Sequence, residues 1–195
     1  KYGEAITNSL GQTGAMLEAL ANDAALIGRV EQATVACVRC LSTGNKILLV
    51  GNGGSAADCQ HIAGEFVSRF MFDRPGLPAI ALTTDTSILT AIGNDYGYDK
   101  LFSRQVQALG TDGDILIAYS TSGNSENIVQ AMRTAREMNI TTIAMTGNRG
   151  GKVNDLSDHL IDIPSASTPR IQEGHLMVGH ILCDLVEQTL FDSTK

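Results

Sequence analysis

Hydroxyl side chains are concentrated in one short segment of this chain, Ser120-Thr-Ser-Gly-Asn-Ser125. The segment follows an apolar run and opens a helical pattern, so its hydroxyls and free backbone N–H groups would converge at a helix N-terminus. Such a terminus favours a phosphate, and Gly123 lets the backbone approach one closely. An ordinary N-cap needs a single Ser or Thr. Four hydroxyls without a Lys or Arg in the segment therefore favour a phosphate monoester held by neutral donors.

A glycine-rich segment, Gly51-Asn-Gly-Gly-Ser-Ala56, follows another apolar run and fits the G-x-G-x-x-G/A pattern of dinucleotide-binding loops. The next candidate acid, Asp85, comes about 30 residues later, whereas dinucleotide sites place it ~20 residues on. The segment also lacks the Gly-Lys-Ser/Thr of a P-loop. A plain strand–helix turn needs the glycines but not the whole run Asn-Gly-Gly-Ser. We therefore interpret the segment as a turn that lies beside another kind of ligand, and a dinucleotide site is the weaker alternative.

His61 and Glu65 stand four residues apart in the helical pattern that follows the glycine-rich segment. This spacing puts both side chains on one face, about one turn apart. The pair is either an ordinary surface hydrogen bond or a functional pair. In a functional pair, the imidazole would act as a metal ligand or acid and the carboxylate as a base.

The last helical pattern carries Gln172, Glu173 and His180 in an otherwise apolar stretch. Gln172 and His180 differ by about 80° around a helix axis, so both can face one pocket. Burial of such polar groups without partners is costly, which favours a site. His175 falls off this face, and we predict that it is structural.

Five short apolar runs predict the strands that position these residues. Four are nearly continuous, as in strands buried on both faces, and the fifth alternates like an edge strand. The predicted strands are 46–50, 78–82, 114–119, 141–145 and 159–163. Because helical patterns separate them, we predict an α/β fold, a three-layer doubly wound sandwich with a five-stranded parallel sheet. Ligands bind at the carboxyl ends of such strands, where the polar segments stand.

Helical periodicity predicts the remaining elements. The predicted helices are 4–23, 25–42, 56–70, 86–109 with a break near 93–97, 124–138, a short one at 151–157, and 168–192. The first two would form an N-terminal helical hairpin within residues 1–44, with Gly44 as the C-terminal glycine. The α/β core would occupy 45–195, so we expect a single domain over residues 1–195.

Composition excludes several classes of protein. Fourteen Lys and Arg against 21 Asp and Glu leave a net charge of −7 with no basic cluster, which opposes binding to nucleic acid or an anionic membrane. We see no secretory signal and no apolar run near the ~18 residues of a membrane span. The four cysteines are expected to be reduced thiols of a cytoplasmic protein. Cys37 and Cys40 form a lone C-x-x-C, which we interpret as helix packing.

Taken together, these motifs resemble those of the bacterial phosphoheptose isomerases, a family with the sugar-isomerase (SIS) fold. The resemblance is collinear from about residue 46 to 192. It rests on Gly51-Asn-Gly-Gly-Ser-Ala-Ala57, His61-x-x-x-Glu65, Ile92-Gly-Asn-Asp95, Ser120-Thr-Ser-Gly-Asn-Ser125, and Arg170-Ile-Gln-Glu-x-His175 with His180. The hydroxyl-rich loop alone is typical of the wider fold family; the full set is specific.

The resemblance implies an activity and a role for each matching residue. The reaction would convert sedoheptulose 7-phosphate to D-glycero-D-manno-heptose 7-phosphate, the first committed step toward lipopolysaccharide heptose. Glu65 would move a proton between C1 and C2, and His180 would be the acid–base partner on the oxygens. The implied substrate-binding residues are Asn52, Gly53, Gly54, Ser55, Glu65, Asn94, Asp95, Ser120, Thr121, Ser122, Ser125 and Gln172.

The resemblance also implies a divalent metal, often zinc, held by His61, Glu65, Gln172 and His180. These nitrogen and oxygen ligands are compatible with zinc. A neutral Gln is a poor zinc ligand, so the need for metal stays open at this point. Similar proteins are homotetramers with sites at subunit interfaces, and the N-terminal helix pair suits that assembly.

Two other functions remain as alternatives. Some relatives are adaptors that bind the bacterial replication initiator, and such a protein could lose its base and acid. The presence of Glu65 and His180 together with Gln172 favours an enzyme. The second alternative is an isomerase of a pentose or hexose phosphate, to which Arg69 and Asp85 could contribute.

Overall fold

Five parallel strands form one sheet in the order β2-β1-β3-β4-β5 in a computed structural model that describes residues 1–148 and 150–191. The strands are β1 (Ile47–Gly51), β2 (Ala79–Ala81), β3 (Ile115–Tyr119), β4 (Thr141–Gly147) and β5 (His159–Ile163). The predicted parallel five-stranded α/β fold with two N-terminal helices is confirmed.

The helices alternate with the strands after the N-terminal pair. They are α1 (Tyr2–Ala21), α2 (Ala24–Ser42), α3 (Gly54–Val67), α4 (Thr86–Tyr96), α5 (Ser103–Leu109), α6 (Glu126–Glu137) and α7 (Thr168–Phe191). The predicted short helix at 151–157 is a 3₁₀ turn at Asn154–Leu156. Gly44 has a φ of +83° just after α2, as predicted for its C-terminal glycine. The predicted end of the last helix, residue 192, lies outside the described residues.

The sheet separates two apolar layers, because successive side chains of a strand point to opposite faces. In β1, Ile47 and Leu49 face a core shared with α1, α2, α3 and α7. Leu48 and Val50 face a second core with α4, α5 and α6. Both faces of the central strands are therefore covered, which explains their continuous apolar sequence.

Strand β2 differs from its prediction. The apolar run 78–82 indicated a strand buried on both faces, but β2 has three residues and, within the described part of the chain, pairs only with β1. Ile80 is exposed on its outer face. Apolar content alone does not distinguish a short edge strand from a central one.

The helix predicted over 86–109 is three pieces rather than one with a single break. Asp85 caps α4, since its side-chain oxygen accepts the N–H of Ile88 at 2.9 Å. Gly97 then adopts a φ of +86° that ends this helix, and a 3₁₀ turn at Tyr98–Lys100 precedes α5. Asp85, a candidate for ligand binding, therefore has a local structural role.

The order of the strands fixes where a ligand can bind. From β1 the chain crosses to β2 on one side, whereas β3, β4 and β5 follow on the other. The crevice between the carboxyl ends of β1 and β3 is thus the topological switch point, the usual binding position in open α/β sheets. The glycine-rich and hydroxyl-rich segments extend from these two strands.

None of the helices in residues 1–148 and 150–191 is both long enough and apolar enough to span a membrane. Cys37 and Cys40 are buried in α2, and burial raises the pKa of each thiol to about 12. Both thiols are therefore protonated at neutral pH and pack as small apolar groups, as predicted.

Candidate active site

A cavity of about 320 Å³ opens at the switch point between β1 and β3. Eight of the predicted substrate-binding residues line it. These are Asn52, Gly53, Gly54, Ser55, Ser120, Thr121, Ser125 and Gln172, joined by Tyr119 and Thr168. Segments far apart in the sequence thus converge on one polar crevice because their strands are neighbours in the sheet.

The glycine-rich turn lets three elements meet closely at this cavity. Gly53 has a φ of +56°, a left-handed conformation that favours glycine, and it leads directly into α3. A Cβ on Gly54 would lie 2.7 Å from Nε2 of Gln172, so the missing side chain makes room for the Gln172 amide. The first turn of α3 and the first turns of α7 therefore lie against each other at the cavity wall.

The hydroxyl-rich loop presents hydroxyl side chains to the cavity. Ser125 is the N-cap of α6, yet its side chain makes no capping hydrogen bond. Its Oγ instead lies 3.5 Å from Oγ of Ser120. Ser122 faces an adjoining cavity of about 210 Å³, which shares Thr121 and Thr168 with the first. Hydroxyls and the α6 N-terminus together form a neutral, donor-rich surface suited to an anion.

Asn52 is held in one orientation by two neighbours. Its Oδ1 accepts hydrogen bonds from the Tyr98 hydroxyl and from Nδ2 of Asn127, both at 2.9 Å. Its Nδ2 donates to Oδ1 of Asn127 at 2.9 Å. Because the carbonyl oxygen is already engaged, the group that Asn52 can offer a ligand is the second N–H of its amide.

Two imidazoles and a carboxylate meet where α3 and α7 pass each other. Nε2 of His61 lies 2.8 Å from Nε2 of His180 and 3.3 Å from Oε1 of Glu65. The three side chains each offer an atom within 4.8 Å of the others. The i, i+4 pair and the imidazole from the last helix are therefore brought together.

This cluster has the donor set of a divalent-cation site. At 2.8 Å the two imidazole nitrogens cannot both carry a proton toward each other. They either share one proton or turn both lone pairs to a cation. Two nitrogens and a carboxylate oxygen are ligands that zinc accepts, and a catalytic zinc keeps its fourth position for water or substrate. His61, Glu65 and His180 thus fit such an ion.

Gln172 lies apart from the other three predicted metal ligands within this chain. It precedes His180 by eight residues of α7, about 12 Å along the helix axis. Its amide packs at Gly54 beside the first cavity. The substrate-binding prediction for Gln172 agrees with this position, whereas its predicted place among the metal ligands remains a prediction.

Asn94 and Asp95 lie near the end of α4. Both are exposed, and Nδ2 of Asn94 donates to Oδ1 of Asp95 at 2.8 Å. Within the described part of the chain, neither lines the cavity at the switch point. Glu173, part of the polar stripe noted in the sequence, binds Thr13 of α1 and Arg170 instead.

Sequence reasoning missed several residues around the cavity. Tyr119 and Thr168 line it, while Tyr98 and Asn127 orient Asn52. Tyr119 is the last residue of β3 and Thr168 the first of α7, so a fuller use of strand and helix ends could have found them. Tyr98 gave no such signal, because its contact with Asn52 spans 46 residues of sequence.

Comparisons with known proteins agree with this architecture. A sequence profile described as the SIS domain matches residues 11–147. A phosphoheptose isomerase of Burkholderia pseudomallei is 61% identical over 186 residues, covering 95% of this chain and 94% of that protein. The chain belongs to the phosphoheptose isomerases, a family of SIS-domain proteins. Because almost the whole of the relative is matched, the family assignment covers the helical hairpin as well as the core.

Solved structures of phosphoheptose isomerases share the fold over nearly the whole chain. The enzyme from Neisseria gonorrhoeae has a TM-score of 0.90 at 42% identity, covering 96% of this chain and all of that one. That from Francisella tularensis has a TM-score of 0.92 at 38% identity, with coverage of 96% and 99%. The SIS fold predicted from the motifs is thus confirmed.

Proposed function

We propose that this phosphoheptose isomerase family member converts sedoheptulose 7-phosphate to D-glycero-D-manno-heptose 7-phosphate in heptose biosynthesis. The observation that carries the proposal is the meeting of Glu65, His61 and His180 in a chain 61% identical to a phosphoheptose isomerase. The adaptor alternative is not favoured, since the candidate base and acid are both present and face each other.

Glu65 is the base of the proposed mechanism. In the ketose-to-aldose direction it takes a proton from C1, which gives an enediol, and returns a proton to C2. His180 moves the accompanying proton from the C1 oxygen to the C2 oxygen. The net change is an internal redox exchange: C1 is oxidised to the aldehyde level and C2 is reduced to an alcohol. No external electron acceptor is needed.

The phosphate is held at the other end of the ligand by Ser120, Thr121, Ser122 and Ser125. The hydroxyl of Ser125, which does not cap α6, and the N-terminus of α6 support this assignment. Asn52, Gly53, Gly54, Ser55 and Gln172 line the sugar chain, with Asn94 and Asp95 as further contacts. Holding both ends of the substrate keeps C1 and C2 oriented toward the base, which lowers the barrier by pre-organisation.

One zinc ion per subunit is proposed for the cluster of His61, Glu65 and His180. Gln172 stays a predicted further ligand, although within this chain it lies apart from these three residues. A bound divalent ion would polarise the oxygens on C1 and C2. The close approach of the two imidazole nitrogens supports this assignment.

The assembly, location and domain limits also belong to the proposal. We infer a cytoplasmic homotetramer with sites at subunit interfaces, in which residues 1–195 form a single SIS domain. Exposed apolar side chains near the cluster, Met71 and Ile181 among them, support an interface there.

Replacing Glu65 tests the proposed function directly. We expect Glu65→Gln to abolish isomerisation of sedoheptulose 7-phosphate, because an amide cannot accept the proton from C1. Stability should change little, since the half-buried side chain is replaced by one of the same size. Turnover is followed by coupled detection of the aldose, and thermal unfolding gives the stability. Full turnover by the folded variant would reject Glu65 as the base.

A further inference from the structure

A buried ion pair lies just beyond the proposed catalytic cluster. Nε of Arg74 donates to Oε2 of Glu187 at 2.9 Å, and the two side chains are only 2% and 0% exposed. Arg74 belongs to the connection between α3 and β2, and Glu187 to α7. Complete burial of two charges costs free energy unless every donor and acceptor is used.

The carboxylate of Glu187 is surrounded by donors from one loop. It accepts backbone N–H groups from Phe70 at 2.8 Å, Met71 at 2.6 Å and Phe72 at 3.3 Å, besides Arg74. Burial alone would raise the pKa of Glu187, but these hydrogen bonds outweigh it and hold the pKa below its usual value. Glu187 is therefore ionised at neutral pH and fixes the loop after α3 on α7.

The guanidinium of Arg74 in turn holds the end of the helix that carries Glu65. Nη2 donates to the backbone oxygen of Glu65 at 2.9 Å, and Nη1 donates to that of Phe66 at 2.6 Å. The last carbonyls of a helix have no partner within it. Arg74 supplies that partner at the turn from which the Glu65 carboxylate projects.

Glu187 is linked to His180 as well. The two residues are seven positions apart on α7, about two turns, so they lie on nearly the same face. The ring of Phe70, whose N–H binds Glu187, lies 5.5 Å from the ring of His180. One ion pair therefore holds the backbone at Glu65 and the aromatic neighbour of His180.

We propose that Arg74 and Glu187 are positioning residues that set the geometry of Glu65 relative to His180. The inference rests on the proposed isomerase function and extends it to two residues outside the cavity. Neither side chain reaches a substrate; both act through the end of α3 and through Phe70. Loss of the ion pair would let the Glu65 carboxylate shift relative to the His180 imidazole, while the hydroxyl-rich loop keeps its structure.

A second ion pair, whose carboxylate is fully buried, provides a matched control at the opposite end of the strands. The fully buried carboxylate of Asp114 accepts a hydrogen bond from the Lys46 ammonium at 2.6 Å. It also accepts hydrogen bonds from the backbone N–H groups of Lys46 and Thr111. It lies at the amino end of β3, whereas the proposed site is at the carboxyl end. Asp114→Asn therefore removes a comparable buried charge without touching the proposed site.

The test compares Glu187→Gln and Asp114→Asn with the wild-type enzyme on sedoheptulose 7-phosphate. We expect Glu187→Gln to lower kcat about 10- to 100-fold, as small displacements of catalytic groups do, with KM nearly unchanged. Asp114→Asn should keep both constants although it also loses stability. The imidazole NMR signals of His61 and His180 should move in Glu187→Gln and not in Asp114→Asn. If Glu187→Gln does not fold, Arg74→Lys takes its place, because lysine keeps the charge but not the planar guanidinium. The same changes in kcat, KM and the imidazole signals are then expected for Arg74→Lys.

Three results would overturn the positioning role. These are a folded variant of the pair with wild-type kcat, a raised KM with kcat unchanged, or an equal loss of kcat in Asp114→Asn. A wild-type protein that produces no aldose would instead overturn the proposed function itself.

Discussion

At the scale of single residues, the orientation of Asn52 is the most consequential detail of the cavity. Tyr98 and Asn127 both donate to its Oδ1, so Asn52 offers an N–H to the ligand. Removing one donor weakens that orientation. We expect Tyr98→Phe to raise KM about fivefold, the effect of one hydrogen bond of ~1 kcal/mol, with kcat within about twofold.

Tyr96→Phe is the matched control for this prediction. Tyr96 lies two residues earlier and is exposed to a similar degree, but its ring lies against the Arg104 guanidinium at 3.8 Å. Initial rates over a range of substrate concentrations separate KM from kcat for both variants. An equal rise of KM in the two variants, or none in Tyr98→Phe, would count against the role of Tyr98.

These residue-scale features also show what the sequence can and cannot predict. The i, i+4 rule placed His61 beside Glu65 because both lie on one helix. The sequence motifs named Asn52 as a ligand-binding residue, but its orientation depends on partners 46 and 75 residues away. The same holds for Arg74 and Glu187, 113 residues apart, which no local pattern connects.

At the scale of elements, α7 is held on the sheet by a buried histidine. His175 is fully buried, and its Nε2 lies 3.1 Å from the backbone oxygen of Thr146 in β4. Burial lowers the pKa of His175 from 6.5 to about 4, although the hydrogen bond to Thr146 opposes the shift. The folded protein therefore keeps this imidazole neutral at pH values where the unfolded chain protonates it.

The stability of the fold should depend on pH through His175. Between pH 6.5 and 4 the unfolded state binds more protons, so the free energy of unfolding falls as the pH falls. This loss reaches about 3 kcal/mol near pH 4 and is absent well above pH 6.5. His175→Gln keeps an N–H donor but cannot titrate. Urea unfolding of both proteins at several pH values should give a wild-type advantage that shrinks toward pH 4; a constant difference would contradict this.

Element boundaries show a second limit of sequence reasoning. The strands and helices were found because their apolar periodicity reflects burial. The break predicted near 93–97 agrees with the end of α4 at Tyr96. The 3₁₀ turn before α5 was not predicted, because the pattern stays apolar through Leu101 and Phe102. The run 78–82 predicted a strand buried on both faces, whereas β2 is an edge strand, because a short edge strand can be equally apolar.

At the scale of the whole molecule, α1 carries an apolar stripe that the chain itself only half covers. Met16 and Leu20 are buried in the core, whereas Tyr2, Ile6 and Leu10 continue the same face and are exposed. An exposed apolar face of this kind is typical of an interaction surface, and the proposed homotetramer would cover it.

Charge on that stripe should disrupt the assembly. We expect Leu10→Glu to convert the proposed tetramer to a smaller species, because the carboxylate would be buried without a partner. Asn8→Glu adds the same charge to an exposed position on the opposite face of α1 and should leave the mass unchanged. Light scattering after size-exclusion chromatography measures both. A monomeric wild-type protein, or a tetrameric Leu10→Glu, would contradict the proposed assembly.

The most direct test of the central claim is NMR of the purified protein with sedoheptulose 7-phosphate in D₂O, with and without a chelator. Proton transfer through an enediol by Glu65 predicts an aldose 7-phosphate with deuterium at C2, formed more slowly once metal is removed. An unchanged ketose after hours with the folded, metal-supplied protein would contradict the account.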